Sequence, residues 1–239
     1  MEKELYSKAE SASVDAGLRS YMQKIYNFMA GGLCVTGLAA WIVANTSLIT
    51  LFFNITPQSI SLSGLGWVAF LAPLVMVFAF GWVARSGSAK QVQLLFWSYA
   101  ALMGVGLTPI FLLYTQSSLV RVFLITAGSF GALSLYGYTT KRDLTGVGSF
   151  LYMGLFGLII AMLVNLFLKS SGLDWALSFI GVGIFSGLTA YDTQRLREIY
   201  SSVDSSETLS KKALVGALSL YLDFINLFLY LLRFLGDRK

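Results

Sequence analysis

The stretch Ser219–Phe234 reads SLYLDFINLFLYLLRF and carries one carboxylate, Asp223, with apolar residues on both sides. Asp is a poor choice for a core and a worse one for a lipid bilayer. At mid-bilayer an ionised Asp costs about 2.5–3.5 kcal/mol on the insertion scale, so such a residue faces a bundle interior or a water-filled cavity. The bland alternative is a neutral, hydrogen-bonded Asp that only fixes helix packing. What surrounds the stretch decides between them.

The whole chain shares its character. Of 239 residues, 56% are hydrophobic and 12% charged, and the mean hydropathy is +0.71. A soluble domain carries about 25% charged and about 45–50% apolar residues. So few polar residues cannot cover a soluble surface, and the composition is that of a polytopic membrane protein. A membrane helix needs about 20 mostly apolar residues, and seven runs qualify: 25–46, 65–84, 92–114, 119–138, 149–168, 174–194 and 213–235. They are continuously apolar and do not alternate every second residue, which selects helices over a barrel. Short links make residues 25–239 one seven-helix domain. The longest link, 47–64, is uncharged and is read as lying along the interface. Residues 1–24 are polar, mixed in charge and without the apolar centre of a signal peptide, and are read as a mobile or interfacial cytoplasmic arm.

Inside the spans, Gly183 and Gly187 form a GxxxG pair, with Gly154 and Gly157 in the preceding run. Small residues of this kind let helices approach closely in lipid. Pro73 and Pro109 each remove a helix hydrogen bond and are expected to kink their helices. The single cysteine, Cys34, lies in an apolar run and is read as a packing residue. With one Cys and no His, a disulfide framework and the usual zinc and iron sites are excluded, as are the common general base and the common pH switch. Any proton sensing falls to carboxylates.

The net charge of +5 is not a nucleic-acid signature here, because Lys and Arg lie in short loops where they set topology. Twelve of the 17 fall on the side of the N-terminal arm. That places the N-terminus in the cytoplasm, and seven spans place the C-terminus outside. Arg233, Arg238 and Lys239 fit that end poorly, which leaves open a re-entrant or depth-shifted last segment. The twelve acidic residues fall mostly in the arm, loops and tail, and none lies between Asp15 and Asp143. Asp192, near the end of the sixth run, and Asp223, within the seventh, are the exceptions. Helix arithmetic puts Asp223 about 15 Å into its run at 1.5 Å per residue, deeper than Asp192. The spacing permits the two to pair without demanding it.

SLYLDFINLFLYLLRF resembles the last-helix signature of the Bax inhibitor (transmembrane BAX inhibitor motif) family. GLTAYDTQRL (187–196) is similar to that family's sixth-helix motif, and SLYGYTTKRDLT (134–145) to its link between helices four and five. The resemblance extends over the chain and looks bacterial. It implies an all-α membrane protein with a central hydrophobic last helix surrounded by six, in the bacterial inner membrane. The implied activity is a pH-sensitive calcium leak, with no enzyme chemistry and no cofactor beyond calcium as transported or regulatory ion. Asp192 and Asp223 map to the family's pH-sensing pair and cation ligands. Arg85, in FGWVARSG (80–87), maps to an arginine that latches the first aspartate in the closed form. Some members add a Glu in helix four, and 119–138 holds no acid.

Two adjacent carboxylates do not both ionise easily. A shared proton would close the pair, and losing it would leave two charges that repel or hold a cation; calcium accepts carboxylate oxygens with loose geometry. Two rivals stand beside the leak. One is an intramembrane aspartyl protease, for which AYDTQ offers a Tyr-Asp pair but LYLDF lacks the GxGD context. The other is a regulator that binds a membrane protease or a stress-response partner through the arm and the 195–212 loop. Lipid, calcium and such a protease are the partners expected; nucleic acid is not.

Overall fold

A computed structural model describes residues 2–56 and 59–239; for residues 2–13 and Ile60 the description covers the backbone alone. The elements follow in chain order: α1 Glu2–Asn45, α2 Ile49–Phe52, β1 Phe53–Thr56, β2 Ser59–Leu62, α3 Gly64–Ser86, α4 Ala89–Leu113, α5 Gln116–Thr139, α6 Thr145–Leu168, α7 Ser171–Glu198 and α8 Ser206–Leu235. Seven of the helices are long and apolar enough to cross a membrane: Val14–Asn45 of α1, then α3 to α8. The protein is an all-α, multi-pass membrane protein. Backbone groups at membrane depth must be satisfied within the segment, and the helix is how a lone span does it.

The surface of these helices fits lipid. Phe78, Trp82, Phe156 and Phe167 are exposed, as are dozens of other large apolar side chains. Four of the five tryptophans, Trp41, Trp67, Trp82 and Trp175, lie within a turn or so of a span end and are exposed. That is the aromatic belt expected where a bilayer meets water. Cys34, expected to be a packing residue, is instead exposed on α1 within the span. The first span also begins earlier than its apolar run. Tyr21, Met22 and Ile25 are buried, and Lys24 donates to Ser210 Oγ at 2.8 Å. Of the arm expected over 1–24, Met1 and the side chains of 2–13 lie outside the described residues.

The link after α1 is not a plain interfacial loop. Phe53–Thr56 and Ser59–Leu62 pair antiparallel in register Phe53↔Leu62 through Thr56↔Ser59. The sequence carries the cause, since Phe53, Ile55, Ile60 and Leu62 alternate with polar residues on either side of Pro57 and Gln58. Ser63 then caps α3 by accepting from Gly66 N–H at 3.0 Å. Pro73 and Pro109 are carried inside α3 and α4, whose assignments run through both.

The chain divides into two units, Met1–Pro109 with Leu196–Leu218, and Ile110–Arg195 with Ser219–Lys239. In the first, α1 meets α4 through small residues. A Cβ on Gly104 would lie 2.5 Å from the Thr36 carbonyl oxygen, and Thr36 Oγ1 donates to the Ala100 carbonyl at 2.8 Å. In the second, Leu158, Leu177, Ile184, Phe185, Leu188, Leu227 and Tyr230 form the core between α6, α7 and α8. Burial is heaviest in α8, where 67% of the most apolar window is buried, against 6% in α6.

At one end of the second unit the C-terminus is stitched to the α4–α5 turn. Tyr114 bridges Arg238, Thr115 N–H donates to the Asp237 carbonyl at 3.1 Å, and Arg121 pairs with Asp237 at 2.9 Å. Arg233 pairs with Asp174, at the start of α7, at 3.1 Å. The C-terminus therefore lies with the α4–α5 and α6–α7 turns, and α8 is a continuous helix of 30 residues, not a re-entrant segment. The basic residues that fitted this end poorly are in part neutralised by its own acids.

The glycine motif is half right. A Cβ on Gly187 would meet Leu151 at 2.5 Å and one on Gly154 would meet Ile184 at 3.3 Å, but Gly183 and Gly157 face open space. The tightest approach in the unit is elsewhere: a Cβ on Gly137 of α5 would collide with the Ala190 backbone of α7. Gly137→Ala is expected to cost about 1–3 kcal/mol through overpacking, while Gly157→Ala is expected to be neutral or slightly stabilising. Thermal unfolding of the purified variants in detergent checks the contrast.

Candidate functional site

Asp192 on α7 and Asp223 on α8 belong to the same unit, and both are buried, 3% and 5% exposed. Asp192 has a donor for each oxygen. Its Oδ1 accepts from the Tyr152 hydroxyl of α6 at 3.2 Å, and its Oδ2 accepts a short hydrogen bond from Ser219 Oγ of α8. Asp223 lies one turn beyond Ser219 on the same helix face, as an i, i+4 pair must. Asp223 therefore stands one helical turn from the residue that hydrogen-bonds Asp192. Asp223 Oδ2 is buried and has no hydrogen-bond partner among the described residues. The direct partner of Asp192 on α8 is thus Ser219, with Asp223 one turn further along the helix.

The site is held by the segments around it. A Cβ on Gly148 would lie 2.5 Å from the Tyr191 ring, so the missing side chain admits that ring against α6. Tyr191 in turn meets Tyr152 edge-on, with centroids 6.1 Å apart, which fixes the ring whose hydroxyl reaches Asp192. On the other flank of α7, Ser134 of α5 and Thr193 share a buried hydrogen bond of 2.9 Å. Gln194 clasps the α5–α6 link, donating to the Arg142 carbonyl at 2.7 Å and accepting from Leu144 N–H at 2.8 Å. Beside Asp223, Phe224 packs between Phe123 and Phe130, each with centroids 5.5 Å away. An apolar wall of this kind excludes water and strengthens every electrostatic interaction inside it.

Asp143, in that same link and outside the spans, accepts from Thr145 N–H at 2.8 Å. Hydrogen bonds from the Thr145 side chain and backbone hold its carboxyl below the usual range. The support this exposed group gives the start of α6 is present above its ordinary pKa and is lost as pH falls through the lowered one.

Of the three site residues expected from sequence, the two aspartates are buried in the same unit, and the partner that Asp192 finds on α8 is Ser219, one turn from Asp223. Arg85 stands in the last turn of α3, exposed, in the first unit. Among the described residues no group of three or more His, Cys, Asp or Glu that could hold a metal ion is assembled. Tyr152 and Ser219 were missed. Ser219 was within reach, being four residues before Asp223; Tyr152 stands in an apolar run where nothing marks a hydroxyl as functional.

The three segments that carried the family resemblance thus meet in one place. The family model described as "Inhibitor of apoptosis-promoting Bax1" matches residues 18–239. An uncharacterized protein of Rickettsia prowazekii, RP147, is 46% identical over 99% of this chain and 98% of its own length. The inner membrane protein YbhL of Escherichia coli K12 is 46% identical over 94% of both chains. YrjE of Lactococcus lactis, also uncharacterized, is 39% identical over 92% of both. The chain belongs to the Bax inhibitor family of multi-pass membrane proteins.

Proposed function

We propose that this protein is a proton-gated calcium leak of the bacterial inner membrane, with Asp192 and Asp223 as sensor and cation ligands. One observation carries the proposal: two buried aspartates on neighbouring spans, one hydrogen-bonded to the serine a helical turn from the other, which itself has an oxygen unpartnered among the described residues. A buried acceptor without a donor costs about 1–3 kcal/mol, more if charged. A shared proton or a bound cation removes that cost. The protonated pair is closed. Loss of the proton leaves a doubly charged site that calcium, a hard ion satisfied by carboxylate and hydroxyl oxygens, can occupy in passing.

Arg85 is the latch in this scheme. Its guanidinium would bridge α3 to ionised Asp192 in the closed form and compete there with calcium. Breaking the bridge opens the end of the bundle that the Lys and Arg bias assigns to the cytoplasm. In this scheme the aspartates only exchange a proton and hold a cation in passing, so the protein works as an ion leak without enzyme chemistry.

Calcium uptake into proteoliposomes across a pH series tests this. Wild-type flux is expected to change with pH, and Asp192→Asn or Asp223→Asn to remove that dependence. Wild-type flux and pH response in both variants would sink the proposal. Tyr152→Phe and Ser219→Ala each delete one donor to Asp192. A hydrogen bond of about 1–1.5 kcal/mol corresponds to about one pH unit, so each is expected to displace the midpoint of the flux–pH curve by about that much. Unmoved midpoints in both would remove the hydroxyls from the gate.

A further inference from the structure

A second polar feature lies apart from the aspartates, wholly within the first unit. A cavity of about 270 Å³ opens between the end of α3, the end of α7 and the start of α8. It is lined by Ala84, Ile199, Thr208, Lys211, Lys212 and Val215. The four α8 residues fall at i, i+3, i+4 and i+7, one face of the helix. Along that face a hydroxyl and two ammonium groups come first, and Val215 follows a turn deeper. Val215 and Ile199 are exposed apolar residues at its wall.

The two lysines are not equivalent. Lys212 is neutralised by Asp204 at 2.6 Å and also donates to the Ile199 carbonyl at 2.9 Å. Lys211 has no carboxylate partner among the described residues. Glu207 stands four residues before it, a spacing that favours an ion pair along a helix. Lys211 Nζ instead reaches the Gly87 carbonyl in the α3–α4 turn at 3.2 Å. A half-buried ammonium held by one neutral carbonyl keeps unspent charge and two further donors. Beside it are the Thr208 hydroxyl and, deeper, apolar wall.

We propose that this cavity binds the phosphate of an anionic phospholipid. The order of groups along α8, charged at the helix start and apolar one turn in, is the order of headgroup and acyl chain along the membrane normal. Basic pockets between spans take anionic headgroups in this way, at about 1 kcal/mol per lysine near the surface. A free phosphate would use Lys211 and Thr208 equally well but would leave the apolar wall without a partner, which favours the lipid.

The test uses the purified full chain in detergent, titrated with phosphatidylglycerol, phosphatidylcholine or inorganic phosphate, read by thermal unfolding and by native mass spectrometry. Phosphatidylglycerol is expected to bind and raise the midpoint more than phosphatidylcholine, and inorganic phosphate not to displace it. Lys211→Gln is expected to weaken phosphatidylglycerol about fivefold, the loss of one such contact, with phosphatidylcholine unchanged and Lys211→Arg close to wild type. Thr208→Val, which leaves every charge in place, is expected to give a smaller loss. Equal response to the two lipids, full affinity in Lys211→Gln and Thr208→Val, or displacement by inorganic phosphate would each overturn the proposal.

Discussion

A carboxylate at membrane depth must be answered by the protein, because lipid offers nothing to answer it with. In this chain Asp192 receives that answer from two hydroxyls on two different helices, Tyr152 of α6 and Ser219 of α8. Three helices are thereby tied at one buried polar point. Neither donor is charged, so the tie holds the carboxyl through hydrogen bonds alone.

The helices can reach that point because side chains are missing where backbones must approach. Gly137 brings α5 onto the Ala190 backbone of α7, and Gly148 admits the Tyr191 ring that steadies Tyr152. Gln194 then closes the α5–α6 link over the same stretch of α7. Packing between spans cannot draw on the hydrophobic effect, since lipid is as apolar as leucine; close fit and buried hydrogen bonds must carry it. The aspartate cluster is therefore inseparable from the small-residue contacts around it.

Much of this was legible in the residues. Seven runs of about the right length gave seven spans, because hydropathy over 20 residues is a strong signal. The two aspartates stood out for the same reason, as the acids that solvent could not explain. Other features were not legible. The GxxxG pair marked Gly187 correctly but Gly183 wrongly, since spacing along one helix does not say which face meets a neighbour. The hairpin at Phe53–Leu62 alternates with period two, a pattern overshadowed by the longer spans beside it. Counting residues along separate helices does not say whether Asp192 and Asp223 meet; the side chains show that the residue of α8 bonded to Asp192 is Ser219, one turn before Asp223. Of the basic residues that fit the C-terminal end poorly, Arg233 is answered by an acid far off in sequence, Asp174, which no local pattern reveals.

Under the proposed function, one proton held by the Asp192–Asp223 pair sets the arrangement of α7 and α8. The most direct measurement is the separation of the two carboxylates in experimental structures of the protein in lipid, determined at pH 6 and pH 8 with calcium absent. The account predicts close carboxylates when the proton is shared and a wider separation when it is lost. An identical separation at the two pH values, in protein whose calcium flux differs between them, would contradict it.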